Sequence, residues 1–321
     1  MIRIRLTMII LFGALTISCQ SFFTPSDTLN KKRVYVAAGS TAVVSSSFAI
    51  GLYNTWYKKY PRQGFHLFND WDEWAFMDKA GHLHTAYFQS LLCYKGAKWT
   101  GINKKNSIIT GVICGMLFQS TIEVFDGFSS KWGFSITDMV ANLSGSATFA
   151  FQQHYWNDQR IRIKISSIPI NYSKAPILSD DYKAVSSLSN RAASLFGRTY
   201  FESFLKDYNA QTYWASVNIH SFFPEGNNWP KWLNLAFGYG AQNLYGGYKN
   251  SWAEGSNTFS LNSADYPRYN QFFLSFDLDF NKLNTKNPFL KTLFSGLNIF
   301  KIPSPTIEIN TEGRIVFHLF K

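Results

Sequence analysis

The sequence has few charged residues for its length. Of its 321 residues, 31 are lysine or arginine and 20 are aspartate or glutamate, so that only 16% are charged. Soluble domains typically carry about 25%. Aromatic residues make up 18% of the chain, and tryptophan and tyrosine concentrate where proteins meet the lipid–water interface. This composition favours a protein that contacts lipid, and a large aromatic core in a soluble protein is the alternative.

Cysteine is also scarce, with three residues in the whole chain. A disulfide-stapled scaffold and a zinc site built from Cys-x-x-Cys pairs are therefore excluded. Cys93 and Cys114 lie in apolar stretches that predict helices. They could be buried free thiols, which pack as small hydrophobic groups, or they could form a disulfide in an oxidising compartment.

The familiar nucleotide and hydrolase motifs are missing as well. There is no phosphate-binding loop, and Gly238-Tyr-Gly240 lacks the third glycine and the helix of a dinucleotide fingerprint. Neither a Gly-x-Ser-x-Gly elbow nor a His-Glu-x-x-His pair occurs. The net charge of +11 is spread over small groups beside apolar segments, which favours contact with anionic lipid headgroups over binding of nucleic acid.

The first 19 residues have the form of a bacterial signal peptide. Arg3 and Arg5 precede a largely apolar run over residues 6–17, and Ser18-Cys19 follows it. A cysteine at this place predicts lipidation at Cys19, with an ordinary cleaved signal or an uncleaved anchor as alternatives. Residues 34–53 form a second uncharged run, long enough to span a bilayer or to serve as a buried core helix.

Hydrophobic periodicity predicts an α+β protein. A helical domain over residues 33–156, with helices near 34–53, 77–95, 107–126 and 134–154, forms a membrane-associated bundle of about four helices. A linker over residues 157–200 then leads to an antiparallel β-rich module over residues 201–321, with about six strands and a short helix at 287–299. Alternation of basic and apolar residues over 161–165 predicts an exposed strand. Aromatic residues on one strand face also suit a small outer-membrane β-barrel, which is the minority interpretation.

Polar residues recur at four-residue spacing inside the apolar helices. The pairs are Asp78/His82, Gln119/Glu123 and Asp138/Asn142, and residues four apart share one face of a helix. We therefore expect one interior cluster. Its candidate residues are Asp78, His82, Glu123 and Asp138, supported by Asp126, by Ser135 as a helix N-cap, by Asn142 and by Gly145, whose small size lets two helices approach closely.

Two kinds of role suit this cluster. The carboxylates and the imidazole could hold a divalent metal or share a proton, or they could hydrogen-bond one another and fix the register of the helices. The structural role is favoured, because ion-pair networks resemble active sites. His84 should face elsewhere, since it is two residues from His82, and Lys79 is predicted to be a solvated surface lysine.

The same residues carry a resemblance to a known family. The order Asp78-Lys79-x-x-His82, Glu123-x-x-Asp126 and Trp132-Gly133-x-Ser135-x-x-Asp138, then Gly145, resembles the YfiM-like periplasmic lipoproteins, defined by domain of unknown function 2279. The likeness covers residues 70–155, and a lipidated Cys19 fits that family. The stretches 206–214 and 230–234 are similar to a longer branch of the family with a β-rich C-terminal part.

A more distant likeness is to VanZ-like membrane proteins. These also show Asp-Lys-x-x-His, a later glutamate and Asp-x-x-x-Asn-x-x-Gly, which Asp138, Asn142 and Gly145 match here. VanZ-like proteins are integral membrane proteins linked to glycopeptide resistance, without an agreed reaction. This chain differs from them in its signal peptide and its long β-rich tail.

These observations predict a membrane-anchored protein of the bacterial cell envelope, exposed to the periplasm. Its expected role is structural or in interactions, more readily than enzymatic, with membrane lipid and envelope proteins as partners. The alternative is a hydrolase acting on a lipid-linked or cell-wall substrate through the His/Asp/Glu cluster. The cofactor is unknown, and a divalent metal is the one that the residue types suggest.

Overall fold

A computed structural model describes residues 22–58, 60–224 and 226–321 of the chain. The signal peptide predicted over residues 1–19 and the lipidation site predicted at Cys19 lie outside the described residues.

Four long helices occupy the N-terminal half, as the sequence predicts. They are α1 (Lys31–Leu52), α2 (Met77–Trp99), α3 (Lys104–Gly127) and α4 (Ile136–Tyr155). Asn30, Asn103 and Ser135 cap the N-termini of α1, α3 and α4, each side chain accepting a hydrogen bond from the backbone N–H three residues later. The helix α2 packs against both α3 and α4. A Cβ atom on Gly145 would collide with the Leu83 carbonyl oxygen, so glycine allows α4 to approach α2 closely.

The helix α1 stands apart from the other three. Both α1 and α3 are long and apolar enough to cross a membrane. Of the apolar stretch of each helix, 0% is buried within the protein in α1 and 22% in α3. Among the described residues, the contacts that hold α1 to the rest of the protein lie at its two ends. Arg33 lies over the Trp99 ring at 4.9 Å, and beyond the other end the Tyr57 hydroxyl donates to Asp126 Oδ1 at 2.8 Å.

A six-stranded antiparallel sheet fills the second half, which confirms the α+β class. Its order is β1-β4-β5-β8-β9-β10, and two short hairpins, β2/β3 and β6/β7, lie beside it. Within the predicted linker, residues 157–200, the chain forms β1 at one edge of this sheet. The strands are β1 (Ile161–Ser167), β2 (Ile177–Leu178), β3 (Val185–Ser186), β4 (Gln211–Val217), β5 (Leu233–Gln242), β6 (Ser251–Glu254), β7 (Asn257–Ser260), β8 (Tyr269–Leu278), β9 (Thr306–Asn310) and β10 (Ile315–His318); the remaining helices are α5 (Leu188–Phe196), α6 (Tyr200–Lys206) and α7 (Pro288–Leu297).

The sheet buries its polar face and exposes much of its apolar face. The prediction of an exposed strand at 161–165 is correct as to the strand but wrong as to the exposure, because Arg162 and Lys164 are buried. They face carboxylates on the same side of the sheet: Arg162 Nε lies 3.0 Å from Asp279 and Lys164 Nζ 2.7 Å from Asp277. The exposed apolar side chains include Phe237, Phe272, Leu274, Phe276, Ile307, Ile309, Ile315 and Phe317.

Helix α2 covers part of this apolar face, where β1 and β4 lie. Ile163 packs beside Tyr87 of α2, and Met77 packs with Ile165 and Tyr213. A tight turn over Glu73–Phe76 leads into α2, with left-handed φ values of 54°, 50° and 61° at its last three residues. Such backbone is held only when its surroundings fix it, and here the sheet module does so. Trp74 N donates to the Gly247 carbonyl at 2.8 Å and the Tyr239 hydroxyl to that of Ala75 at 2.6 Å.

Candidate functional site

The predicted polar cluster forms at one end of the helical bundle. Asp78 and His82 lie in the first two turns of α2, Glu123 in the last two turns of α3, and Asp138 in the first turn of α4. Because α2 and α4 begin where α3 ends, residues far apart in sequence meet at the same level. Asp78 and Asp138 also sit at helix N-termini, where the helix dipole favours negative charge.

Lys79 is at the centre of the cluster, so the prediction that it is a solvated surface lysine is wrong. Its ammonium lies 2.9 Å from Asp70 Oδ2, 3.1 Å from Asp78 Oδ2 and 2.8 Å from Asp138 Oδ1, and its side chain is 11% exposed. Neighbouring residues point apart in the middle of a helix. In the first turn of α2, however, the long lysine stem reaches back over the helix end to the loop that carries Asp70.

His82 faces the remaining oxygens of the same carboxylates. Its Nε2 lies 3.8 Å from Asp78 Oδ1, 3.7 Å from Glu123 Oε1 and 3.8 Å from Asp138 Oδ2. On the other side of the ring, Nδ1 lies 3.1 Å from Asn142 Oδ1. An amide oxygen only accepts, so Nδ1 carries the proton in this hydrogen bond. The predicted spacing of Asp138 and Asn142 thus brings both to His82.

Ser135 connects α4 to two of the carboxylates. Its hydroxyl accepts from Asp138 N at 3.0 Å, which is the predicted N-cap, and donates to Asp70 Oδ1 at 2.6 Å. Its backbone N–H donates to Glu123 Oε2 at 3.1 Å. Thr137 Oγ1 adds a second hydrogen bond to Asp70 Oδ1 at 2.7 Å. The start of α4 is therefore fixed to both α3 and the 70s loop.

Other predicted residues lie around the cluster rather than within it. Asp126 pairs with Tyr57. Gly145 lies two turns further along α4, where it lets that helix approach α2. His84 points away, to a buried position beside Tyr213 with ring centroids 5.8 Å apart.

Three residues of the cluster were not predicted as site residues from the sequence. They are Asp70, Lys79 and Tyr208, whose hydroxyl donates to Asp78 Oδ1 at 2.7 Å. Asp70 lies in a loop without periodicity, and Tyr208 is 130 residues from Asp78. The one local signal is Lys79, a cation beside an aspartate at the start of an apolar helix.

The charges of the cluster shift the pKa values of nearby groups. Burial alone would raise the pKa of Asp70, but hydrogen bonding with Asp138, Ser135, Thr137 and Lys79 more than offsets this and holds the pKa well below its usual range. Burial, followed by the charges of Asp78 and Asp70, raises the pKa of Glu73 to about 7. Burial and the charge of Asp78 raise the pKa of Tyr208 far above its usual value, so this phenol stays a hydrogen-bond donor.

A comparison with protein-family models places most of this cluster within the segment that matches a known family. Residues 67–154 match the family model DUF2279, predicted periplasmic lipoprotein. The family predicted from the sequence is confirmed over these residues. The DUF2279 region comprises α2, α3 and α4 together with Asp70, and so contains the cluster apart from Tyr208. No curated protein and no solved structure matches the chain.

Glu73 lies in the turn that leads into α2, beside the cluster, and it gives a prediction about how stability depends on pH. Its folded-state pKa of about 7 exceeds its ordinary value of 4.5, so between these values the folded protein binds a proton that the unfolded chain does not. The resulting stabilisation is present below pH 4.5 and is lost as the pH rises through 7. We expect Glu73→Gln, which mimics the protonated acid, to raise the free energy of unfolding by about 1–2 kcal/mol at pH 8 and to change it little at pH 5.

Unfolding of the protein in detergent micelles at both pH values measures this effect. Glu312→Gln is the matched control, because Glu312 is exposed and its replacement should be neutral at both. Equal effects of the Glu73 substitution at pH 5 and pH 8 would contradict the assignment.

Proposed function

We propose that the protein is a membrane-anchored component of the cell envelope, in which α1 lies within the lipid bilayer and the polar cluster holds the neighbouring helices in register. The observation that carries this proposal is the exposure of α1. Its 22 residues include no charge after Arg33, and Val43 and Val44 are 66% and 60% exposed. In water this apolar surface would be unfavourable, whereas a helix of about 20 apolar residues matches the thickness of a bilayer.

The rest of the molecule supports the same environment. The outer sides of α3 and α4 expose Ile113, Leu117, Val140 and Leu143, while the helix interior contains Gln119, Glu123 and Asn142. Apolar residues outside and polar residues inside are expected where lipid replaces water around a fold. The family description, predicted periplasmic lipoprotein, agrees with a place in the envelope.

A structural or interaction role fits the cluster better than a catalytic one. Glu123 is 1% exposed and its two neighbours in the cluster, Asp138 and Ser135, are buried as well. A cleft at the opposite end of α2 is lined by Tyr94, Lys95 and Arg162 and includes none of the cluster residues. The small accessible surface of Glu123, Asp138 and Ser135 favours the structural role over the hydrolase alternative.

Fluorescence from a single labelled position tests the membrane proposal. The full chain carries an environment-sensitive fluorophore at Val43→Cys, in a background with Cys19, Cys93 and Cys114 replaced by serine, and is reconstituted into phospholipid vesicles. We expect blue-shifted emission that is quenched by lipids with a spin label on the acyl chain and protected from aqueous iodide. The matched control is Tyr182→Cys, because Tyr182 is 79% exposed on the sheet module and is proposed to remain in water. Iodide quenching at position 43 as strong as at position 182 would overturn the proposal.

A further inference from the structure

Three side chains of the cluster place their ligand atoms close together, and a fourth faces them. His82 Nε2 lies 3.7–3.8 Å from each of three carboxylate oxygens, Asp78 Oδ1, Glu123 Oε1 and Asp138 Oδ2. The ligand atoms of Asp78, His82 and Asp138 all lie within 4.8 Å of one another, a group that does not include Glu123. Four ligands placed tetrahedrally at bond lengths of about 2.0–2.2 Å are separated by roughly 3.3–3.6 Å. Binding an ion would therefore require Asp78, His82 and Asp138 to draw together by up to about 1 Å and Glu123 to move towards them.

The imidazole of His82 is oriented as a metal ligand would be. Its Nδ1–H donates to Asn142 Oδ1, and this leaves the Nε2 lone pair directed towards the carboxylates. Hydrogen bonding of the far ring nitrogen to a fixed acceptor is the usual support of a metal-binding histidine. Asn142 is fully buried, so its own position is fixed by packing.

A carboxylate oxygen of Glu123 that lacks a hydrogen-bond partner in the described part of the chain is a separate indication of a cation site here. Its side chain is 1% exposed, and Oε1, the oxygen that faces His82, has no hydrogen-bond partner among the described residues. The other oxygen, Oε2, accepts from Ser135 N, which fixes the direction of the carboxylate. Leaving a buried carboxylate oxygen without a partner is costly, and a cation held between Oε1 and the group of Asp78, His82 and Asp138 would provide one.

The charge of the cluster leads to the same conclusion. Asp70, Asp78, Glu123 and Asp138 bring four carboxylates together, whereas Lys79 and His82 are the cations that contact them. The carboxyl groups of this largely buried cluster thus outnumber its cationic side chains by four to two. Lys79 uses the Oδ2 atoms of Asp70 and Asp78 and the Oδ1 atom of Asp138, so it does not occupy the oxygens that face His82. Of these, Asp78 Oδ1 also accepts from the Tyr208 hydroxyl and keeps a second lone pair for a divalent ion.

We propose that Asp78, His82, Glu123 and Asp138 bind one divalent transition-metal ion, with Asn142 as the residue that positions His82. One imidazole nitrogen with three carboxylate oxygens is a mixed set that suits Zn²⁺ or Mn²⁺. The site goes beyond the proposed membrane anchoring and does not depend on it, since its ligands come from α2, α3 and α4.

Metal binding by the full chain in detergent tests this site. After dialysis against a chelator, the protein is titrated with Zn²⁺, Mn²⁺ or Co²⁺. We expect one equivalent to bind, the thermal midpoint to rise, and Co²⁺ to give visible absorption of a low-symmetry site. Glu123→Gln should weaken binding by tenfold or more. Glu312→Gln is the matched control, because Glu312 is exposed and lies outside the cluster, and it should keep both the affinity and the one-to-one stoichiometry.

A second measurement covers the case in which Glu123→Gln does not fold. Chains grown with ¹⁵N-histidine and loaded with Mn²⁺ should show hyperfine coupling to one histidine nitrogen by electron–nuclear double resonance. No one-to-one binding of any of the three ions, no histidine coupling in the loaded wild type, or equal weakening by Glu312→Gln and Glu123→Gln would each overturn the proposal.

Discussion

Replacing Lys79 with alanine is expected to lower the free energy of unfolding by about 3–5 kcal/mol, the usual loss when one partner of a buried ion pair is removed. Its ammonium neutralises three carboxylates whose side chains are 8%, 20% and 6% exposed. Without it, Asp70, Asp78 and Asp138 repel one another at the point where the 70s loop and two helices meet. Equilibrium unfolding in detergent micelles, followed by circular dichroism, measures the loss.

Two further variants show whether this loss comes from the cluster. Lys105→Ala is the control, because Lys105 is exposed at the start of α3 and its removal should change stability by less than about 0.5 kcal/mol. Adding Asp70→Asn to Lys79→Ala should recover about 1–2 kcal/mol, since one uncompensated carboxylate is then gone. If Lys79→Ala has no larger effect than Lys105→Ala, Lys79 does not hold the cluster together.

Lys164→Met is expected to cause a loss of similar size, about 3–5 kcal/mol, in the sheet. Lys164 and Asp277 are both fully buried, with Nζ and Oδ2 2.7 Å apart. Lys164 Nζ also donates to the Leu278 carbonyl at 2.9 Å, and Asp277 accepts from Ser216 at 2.6 Å. Methionine keeps most of the length of the side chain but removes its charge, so the Asp277 carboxylate on the buried face would lose its cation.

The double variant Lys164→Met/Asp277→Leu separates the cost of an unpaired charge from the value of the pair. Removing both charges should recover more than half of the loss, because apolar residues can replace a buried pair at little cost. The control is Lys183→Met, which removes an exposed lysine paired with Asp181 at 3.4 Å and should cost about 1 kcal/mol or less. If the buried and the exposed lysine variants behave alike, the polar face of the sheet does not depend on this ion pair.

The elements of the fold could be predicted from local patterns. The helices α2, α3 and α4 are evident from their apolar runs and from caps such as Ser135. The strands β5 and β8 are evident from their period of two. A local pattern does not show which face of a strand points into the protein. The basic residues of β1 were expected to face water, yet Arg162 and Lys164 are buried because Asp277 and Asp279 on β8 and just after it lie opposite.

The sequence predicted those residues of the candidate site that follow from helix geometry, but not those that depend on the tertiary fold. Four-residue spacing located Asp78, His82 and Asp138 correctly, because it depends only on helix geometry. It could not locate Asp70 or Tyr208, since a loop and a distant segment reach the cluster only through the tertiary fold. Lys79 was misassigned because the rule for neighbouring residues on a helix fails at a helix end, where a flexible side chain can turn back.

The sheet buries polar side chains and exposes apolar ones, and this arrangement bears on how the chain folds. Hydrophobic collapse in water would draw Phe237, Phe272 and Phe276 inwards and leave Lys164 and Asp277 outside, the reverse of their positions here. The period-two pattern of β8 permits either arrangement, because a one-residue change of register exchanges its faces. The pattern therefore leaves the choice of the buried face to the surroundings of the sheet. In the membrane environment that we propose, lipid beside Phe237, Phe272 and Phe276 would favour the arrangement found here.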